Sequence, residues 1–405
     1  QALTAALSGT VGLGNIAGVA IAITLGGPGA TFWMIIIGFM GMTSKFVECT
    51  LGVKYRQFNE KGEVSGGPMY YLSAGLAEMG WARLGKYMAA ASAILCIGGA
   101  IGSGALFQMN QASQTITDIS ERFVGMNQGS LAGYGWLVGV VLASLVAMVI
   151  VGGIKKITHV TEKLVPFMAI LYVACALVVI FINIDQIPSA FAAIFAGAFS
   201  PEGVAGGFIG VLIQGMRRGT FSNEAGLGSA AIAHASAKTK EPVAEGLVAL
   251  MEPFVDTVVV CTITALVILV TDSHINPGNA NGVTLTSNAF ASVVSWFPYL
   301  LSFAIVLFAF STSITWFYYG QRSFFYLLGE KPSIDMMYKI IYMFSIIVGA
   351  SMSLGPVIDF ADAMLLAMAI PNLVGLYIMA PKVKAMLDSY FDRLKSGEIK
   401  PYQGK

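Results

Sequence analysis

The chain has 405 residues, of which 56 % are hydrophobic and only 11 % charged, against roughly 25 % charged in an ordinary soluble domain. With a mean hydropathy of +0.75, this composition excludes a soluble core and describes a protein that crosses a bilayer many times. The formal net charge of +1 gives no nucleic-acid signature, which would need a basic face. Cys49, Cys96, Cys175 and Cys261 stand alone in apolar runs, without a CxxC pair, and read as small buried hydrophobes rather than a disulfide frame or metal site. His159, His234 and His274 are far apart, none with a ligand-spaced neighbour. The sequence begins at Gln1 and carries no visible signal peptide, so it reads as starting inside a longer protein.

A span needs about 20 mostly apolar residues, and on that rule ten spans follow in chain order. The first covers 3–25 and is closed by the tight turn GGPG at 26–29. The second, 30–55, leads into a polar segment through Gly66-Gly67-Pro68 and a short interfacial helix at 69–79. The third is long, 86–117; the fourth, 136–153, passes through the basic link Lys155-Lys156 to the fifth, 164–182. Residues 187–199 read as re-entrant or interfacial. The sixth span, 204–237, is interrupted around 219–226, and the seventh, 243–271, ends in a long polar loop at 272–288. Spans eight to ten cover 298–328, 336–354 and 358–380, followed by a charged tail from 382 to 405.

Charge bias orients this array. Lys54, Arg56, Lys61, Arg83 and Lys86 lie between spans two and three, Lys155, Lys156 and Lys163 between four and five, and Lys238 and Lys240 between six and seven. Arg322, Lys331 and Lys339 flank the link from eight to nine, and the tail adds more, whereas loops of the opposite parity hold essentially only Arg122. By the positive-inside rule both ends are cytoplasmic, which requires an even number of spans. The first span runs outward and the sixth inward, so residues 1–183 and 184–381 form two five-helix halves of opposite topology, with 382–405 as a cytoplasmic tail. Corresponding interrupted helices in inverted halves are the best sequence pointer to a transport site.

In the first span, Gly9, Gly12, Gly14 and Gly18 surround one polar residue, Asn15. Each glycine costs a helix about 1 kcal/mol relative to alanine, so the cluster marks a helix meant to open. Close packing through small residues is the bland alternative, but Asn15 needs partners in hydrocarbon and a second interrupted span exists. An opened backbone offers N–H groups to a carboxylate and C=O groups to Na⁺. The run also reads as GxGxxA, yet a dinucleotide site needs a preceding strand that is missing here. In the sixth span Arg217, Arg218, Ser222, Asn223 and Glu224 share one hydrophobic segment. Charges at that depth face a partner or a cavity; Arg218 paired with Glu224 or Asp256 is the structural alternative, whereas the backbone and hydroxyls of Phe221, Ser222 and Asn223 point to binding.

Gln108 and Gln111 share a face of the third span, where interhelical hydrogen bonding of roughly 1 kcal/mol each is the bland reading and a ligand contact at Gln108 the functional one. Ser311, Thr312 and Ser313 in the eighth span either bond back to the preceding turn or supply oxygens to a small hard cation. Lys45 and Glu48 on the second span, with Glu252 and Asp256 on the seventh, read as structural pairs, inner-gate charges or proton carriers, and the sequence does not rank these.

Three stretches carry a resemblance. GLGNIAGVAIAITLGGPGATFWM, followed by GMTSKFVECTLGVKYR, resembles the signature of the alanine/glycine:cation symporter family, the sodium:alanine symporters. So does RGTFSNEAGLGSAAIAHASAKT. That family is grouped with the bacterial leucine transporter and the neurotransmitter:sodium symporters, whose AVGLGN-type break looks much like residues 10–15. The resemblance implies an all-α fold of ten transmembrane helices in a five-plus-five inverted repeat, its first and sixth helices broken. It also implies alternating access and Na⁺-driven uptake of small neutral amino acids. Carried over, it places the substrate at Thr10, Gly12, Leu13, Gly14, Asn15 and Gln108 and at Phe221 to Asn223. It places Na⁺ on backbone carbonyls near Ser8, Val11 and Phe308 and on the hydroxyls of Ser311 and Thr312. The chain departs from the family pattern at three positions. Leu13 stands where a small hydroxyl residue is frequent, Ile35 where a second Trp is, and Gln321 where an acidic residue is common. Family members also begin with an additional helical segment, which implies eleven spans in the full protein.

The expected protein is thus a symporter of alanine or glycine, coupled to Na⁺, with no catalytic residues. It is a multi-pass protein of a plasma membrane, its C-terminus cytoplasmic and its surface in contact with membrane lipids. The sequence leaves the oligomeric state open. The same fold driven by H⁺ through Glu48, Glu224 or Asp256 is the alternative. A channel lacks a charged ring or filter, and an intramembrane enzyme lacks a Ser/His/Asp set, HExxH or paired catalytic carboxylates.

Overall fold

The computed structural model describes residues 2–58, 62, 64–127, 129–200, 207–278 and 280–399. Residues 204–206 of the expected sixth span, Lys61 and the end of the tail, 400–405, lie outside the described residues, as do the side chains of Lys155 and Lys156.

Apolar runs with so few charges can bury their backbone polar groups only by forming helices, and among the described residues the regular structure is helical apart from a hairpin of two short strands pairing Gln57–Phe58 with Val64–Ser65. Among the described residues eight helices are long and apolar enough to cross a membrane: Ala30–Lys54, Ala82–Val124, Ala132–Ile150, His159–Ile182, Pro242–Val270, Phe297–Leu328, Pro332–Ser351 and Leu354–Lys395. The first and sixth spans complete the ten, each made of two pieces. The first is Ala2–Thr10 followed, after a break at 11–13, by the apolar helix Gly14–Gly26. The sixth is Gly207–Asn223 followed, after a break at 224–228, by Ser229–His234.

Large apolar side chains point outward along the bundle: Ile170 is 70 % exposed, Ile370 68 % and Tyr377 79 %. The interior instead buries Asn15, Lys45, Glu48, Arg218, Glu224, Glu252, Asp256 and Asn372. Apolar outside and polar inside is the arrangement that lipid imposes.

Several boundaries differ from the sequence expectation. The sixth span breaks later than 219–226, because the helix continues through Asn223 and opens only at Glu224. Glu224, Gly226 and Gly228 all have positive φ (56°, 83° and 85°), a region in which glycine is unstrained, so two glycines allow the turn and Glu224 is held in it by its contacts. The loop expected at 272–288 is helical from Val283, in a helix Val283–Val293 that buries Leu285, Thr286, Ala289 and Phe290. The tenth helix runs through the expected span end to Lys395. Residues 187–199 form a helix, Ile187–Ala198, at about 18 Å too short to cross a bilayer. It packs on the start of the second span, with Trp33 Nε1 donating to the Ala198 carbonyl (3.1 Å).

Two short helices bear on the breaks. Pro68–Glu78, between spans two and three, lies against the sixth: a Cβ on Gly228 would collide with Pro68, and one on Gly67 would sit 2.5 Å from Ile232. Val283–Val293, between spans seven and eight, lies against the first and third: the Val283 amide donates to Gln111 Oε1 (3.1 Å) and the Thr286 hydroxyl reaches the Ile16 carbonyl (3.4 Å). These helices occupy corresponding places in the two inverted halves.

The second and sixth spans approach through glycines. A Cβ on Gly215 would collide with the Ala30 carbonyl oxygen, and one on Gly219 would collide with Ile37. Overpacking of that kind costs about 1–3 kcal/mol. Gly215→Val is expected to lower the thermal midpoint of the detergent-solubilised protein by several degrees. Gly355→Ala, where nothing lies within 4 Å, should leave it unchanged. Equal midpoints for the two variants would contradict this packing.

Candidate functional site

At the first break Val11 closes the preceding helix by donating to the Leu7 carbonyl (2.8 Å). The chain then turns through Gly12 and Leu13, with Asn15 and Ile16 donating back to the Gly12 and Leu13 carbonyls (3.2 and 3.3 Å). Asn15 Oδ1 accepts the Gly12 amide (2.8 Å), so this side chain caps the backbone opened just before it. Its Nδ2 donates to Asp256 Oδ1 (2.7 Å), the Asp256 carbonyl (3.0 Å) and Ser222 Oγ (3.1 Å). Ser222 Oγ donates to Asp256 Oδ2 (2.5 Å), as does Thr257 Oγ1 (3.0 Å). Asn223 Nδ2 donates to Thr257 Oγ1 (3.0 Å), while its Oδ1 accepts the Ala225 amide (2.9 Å) and holds the sixth-span turn. The two breaks are therefore joined through Asn15, Ser222, Asn223 and a carboxylate of the seventh span.

Gly14 packs against this junction so closely that a Cβ would lie 3.2 Å from the Ser222 Cα and 3.4 Å from the Phe221 ring. Phe221 meets Phe107 edge to face at 4.9 Å between centroids, next to Gln108. Gln108 is buried, and its Oε1 has no hydrogen-bond partner among the described residues. Leu13 is fully buried. The Thr10 hydroxyl turns back to the Ala6 carbonyl (3.4 Å) rather than into the break. Of the residues expected at a substrate, the structure brings together Gly12, Gly14, Asn15, Phe221, Ser222 and Asn223, and Gln108 offers an unused acceptor beside them.

The expected cation ligands also converge. The Ser8 carbonyl accepts from Thr312 Oγ1 (3.1 Å), Ser8 Oγ donates to the Ser311 carbonyl (3.0 Å), and Ser311 Oγ donates to the Phe308 carbonyl (3.1 Å). Thr315, absent from the sequence expectation, adds a hydroxyl on Ser8 Oγ (2.9 Å). A Cβ on Gly12 would collide with Thr312, which places this cluster against the break. Val11 lies at the break, and no hydrogen bond among the described residues engages its carbonyl. The donor set is buried, uncharged and all oxygen, the chemistry a small hard cation takes.

The charged residues pair differently from expectation. Arg218 bonds Asp362 of the tenth span, not Glu224 or Asp256, and Arg217 Nε lies 2.7 Å from the same carboxylate. Arg218 also stacks over Phe221 at 5.1 Å. Lys45 pairs with Glu252 (3.1 Å) rather than with Glu48. His234 sits between Glu252 and Glu245, 2.6 Å from the latter. Glu224 accepts from Trp316 Nε1 (2.9 Å) and Ser229 Oγ (2.5 Å). Asn372 donates to the Gly226 carbonyl (2.7 Å) and to Glu48 (3.1 Å) and accepts from Tyr71. Asp362, Asn372 and the His234 pairings went unread in the sequence, although a carboxylate and an amide inside the tenth span were signals of buried partners. A cavity of about 580 Å³ beside Ala225 is lined mainly by apolar groups of the second and tenth spans, including Met40, Leu373 and Tyr377, and by none of the expected site residues.

A family profile described as the sodium:alanine symporter family matches residues 1–404. A sodium/alanine symporter, AgcS, of Methanococcus maripaludis is 41 % identical over 403 residues, covering 99 % of this chain and 85 % of that protein. A probable sodium/glutamine symporter, GlnT, of Bacillus subtilis is 38 % identical over 400 residues, covering 98 % and 79 %. Among solved structures, the transporter MhsT in complex with L-phenylalanine superposes with a TM-score of 0.67 at 14 % identity, covering 94 % of this chain and 87 % of that one.

The Asn15–Asp256 contact makes a pH-dependent prediction. Asn15→Asp removes the donors and sets a second carboxylate against Asp256, whereas Asn15→Ala only removes donors. The Asp variant is expected to melt below the Ala variant at pH 8, and the gap should close at pH 5 as one carboxylate takes a proton. A gap that does not change with pH would contradict the contact.

Proposed function

The chain belongs to the sodium:alanine symporter family, and on that premise we propose that it imports alanine or glycine together with Na⁺. The family makes it a cation-coupled amino-acid symporter and a multi-pass membrane protein, not an enzyme. The observation that carries the choice of ion is the oxygen cluster between the first and eighth spans, Ser8 and Phe308 carbonyls with Ser311 and Thr312 hydroxyls. It holds no carboxylate, so the ion brings the only charge. Amino acid lies between the two breaks: its carboxylate on the amides of Leu13 and Gly14, the Gly12 amide being taken by Asn15, and its amine toward the carbonyl of Phe221 and the free acceptor of Gln108.

Small size is supported by the walls. Leu13, Phe107 and Phe221 crowd the junction, and Gly14 leaves no room against Ser222. The relative named for glutamine is a reminder that the same frame takes other sizes, and one methylene separates substrates by only about 1–3 kcal/mol. The location is a plasma membrane, with the C-terminal helix on the cytoplasmic side by charge bias.

The experiment is alanine and glycine binding to purified protein in NaCl and in choline chloride. Binding should require Na⁺. Thr312→Val and Ser311→Ala should each raise the Na⁺ concentration for half-maximal binding by about 10- to 100-fold, the loss of one charge-assisted contact. Binding that ignores Na⁺, or variants with unaltered Na⁺ dependence, would overturn the reading.

A further inference from the structure

The charges around the sixth-span break do not balance. Lys45, Glu252, His234 and Glu245 form one continuous chain, Lys45 on Glu252 (3.1 Å), His234 on Glu252, and His234 on Glu245 (2.6 Å). Both ring nitrogens of His234 face carboxylates, which suits a doubly protonated ring, so the four cancel as two cations and two anions. Among the described residues no cation lies within ion-pair distance of Glu48, Glu224 or Asp256, and Lys45, the nearest shared charge, pairs with Glu252. Asp256 has donors on both oxygens, from Asn15, Ser222 and Thr257. Glu224 also has one on each, from Trp316 and Ser229. Glu48 does not: the Gly228 amide and Asn372 Nδ2 both bond its Oε2 (3.1 Å each), while its Oε1 is buried with no partner among the described residues.

We propose that Glu48 is a proton-binding site that holds its proton while the sixth-span break is closed and releases it when the break opens. Oε1 faces no donor among the described residues, so a charge on Glu48 is met less completely than one on Asp256 or Glu224, whose oxygens each have a donor. Glu48 Oε2 holds Gly228, and the Asn372 that shares this oxygen also holds the Gly226 carbonyl, so Glu48 ties both glycines of the turn to spans two and ten. The groups facing it are Lys45 and Cys49 on its own helix, Glu252 from the seventh span, Asn372 from the tenth and, through Asn372, Tyr71. Lys45 is committed to Glu252. When the break opens to the cytoplasm, water reaches Oε1, and Glu48 gives its proton to that water and becomes a carboxylate. The closed form therefore binds the proton more tightly than the open form, and by linkage acid on the cytoplasmic side favours closure.

This rests on the transport reading only for the side on which the break opens, and two measurements separate the ideas. The first needs no transport: infrared spectra of purified wild type, Glu48→Gln and Glu48→Asp at pH 7. The wild-type minus Glu48→Gln difference spectrum should contain a protonated-carboxylic-acid band, and Glu48→Asp should restore one at a shifted frequency, the contributions of Glu224 and Asp256 cancelling in the difference. The second is Na⁺-driven alanine uptake into proteoliposomes with only the internal pH varied. Wild type and Glu48→Asp should lose rate as the interior is acidified, by at most tenfold per pH unit for one proton, and Glu48→Gln should be flat. A wild-type minus Glu48→Gln difference spectrum without that band, or a Glu48→Gln uptake profile that follows wild type, overturns the proposal. Should no variant transport alanine, the infrared comparison still decides it.

Discussion

The fold depends on one constraint: a helix that opens inside a bilayer must find partners for the groups it exposes. In the first span that requirement is met by a single side chain. Asn15 caps the Gly12 amide with its oxygen and spends its amide hydrogens on Asp256 and Ser222. The break is thereby locked to the sixth and seventh spans, and the sixth span is locked in turn by Asn223 on its own turn and on Thr257. Removing any of these leaves a buried polar group unpaired, at about 1–3 kcal/mol or more where charge is involved. What looks like a substrate site is first a solution to a hydrogen-bonding problem.

The links that hold the sixth span differ in strength. Its outer half is fixed by Arg218 and Arg217 on Asp362, and breaking a buried pair of that kind costs about 3–5 kcal/mol. Its turn is held by neutral or single-charge hydrogen bonds, Asn372 to the Gly226 carbonyl and the Gly228 amide to Glu48, each worth about 0.5–3 kcal/mol. Motion will run through the weaker set. The turn residues, two of them glycines in the left-handed region, are where a hinge has the least to break, while the ion-paired outer half moves with the tenth span or not at all.

Much of this was legible from the chain. Helix count, the two interrupted spans and the polar cluster at Asn15 all follow from what hydrocarbon forbids, and that rule acts locally. The Ser311–Thr312 oxygens were visible as hydroxyls and the resemblance named the Ser8 carbonyl beside them, but Thr315, which adds a hydroxyl on Ser8, was not read. The partners of Arg218 were not legible, because Asp362 lies far along the chain and ion pairing between spans leaves no periodic trace. The break in the sixth span was read as starting at Gly219, but Gly215 and Gly219 lie within the helix and serve close approach to the second span. The helix Val283–Val293 was missed because Thr284, Thr286, Ser287 and Asn288 interrupt its apolar residues and continue the polar loop before it. Symmetry held the clue: the corresponding position in the first half carries Pro68–Glu78, whose apolar pattern was plain.

That symmetry also explains how ion and amino acid come to depend on one another in the proposed reading. Ser8 stands four residues before Gly12, one helical turn and about 6 Å along the axis, on the last rigid piece of helix before the break. A cation that fixes the Ser8 carbonyl against Thr312 fixes the end of that helix, and with it the direction in which the Gly12 to Gly14 amides point. Without the ion, the stretch is held by the Gly12 amide on Asn15 and by the single Thr312 hydroxyl on the Ser8 carbonyl. A substrate carboxylate would then have to order the Leu13 and Gly14 amides itself, at the expense of its own affinity. Whatever ordering the ion supplies to the substrate, the substrate supplies to the ion. Coupling of this kind needs no contact between the two, only a shared helix end that is broken just beyond the point where the ion grips it.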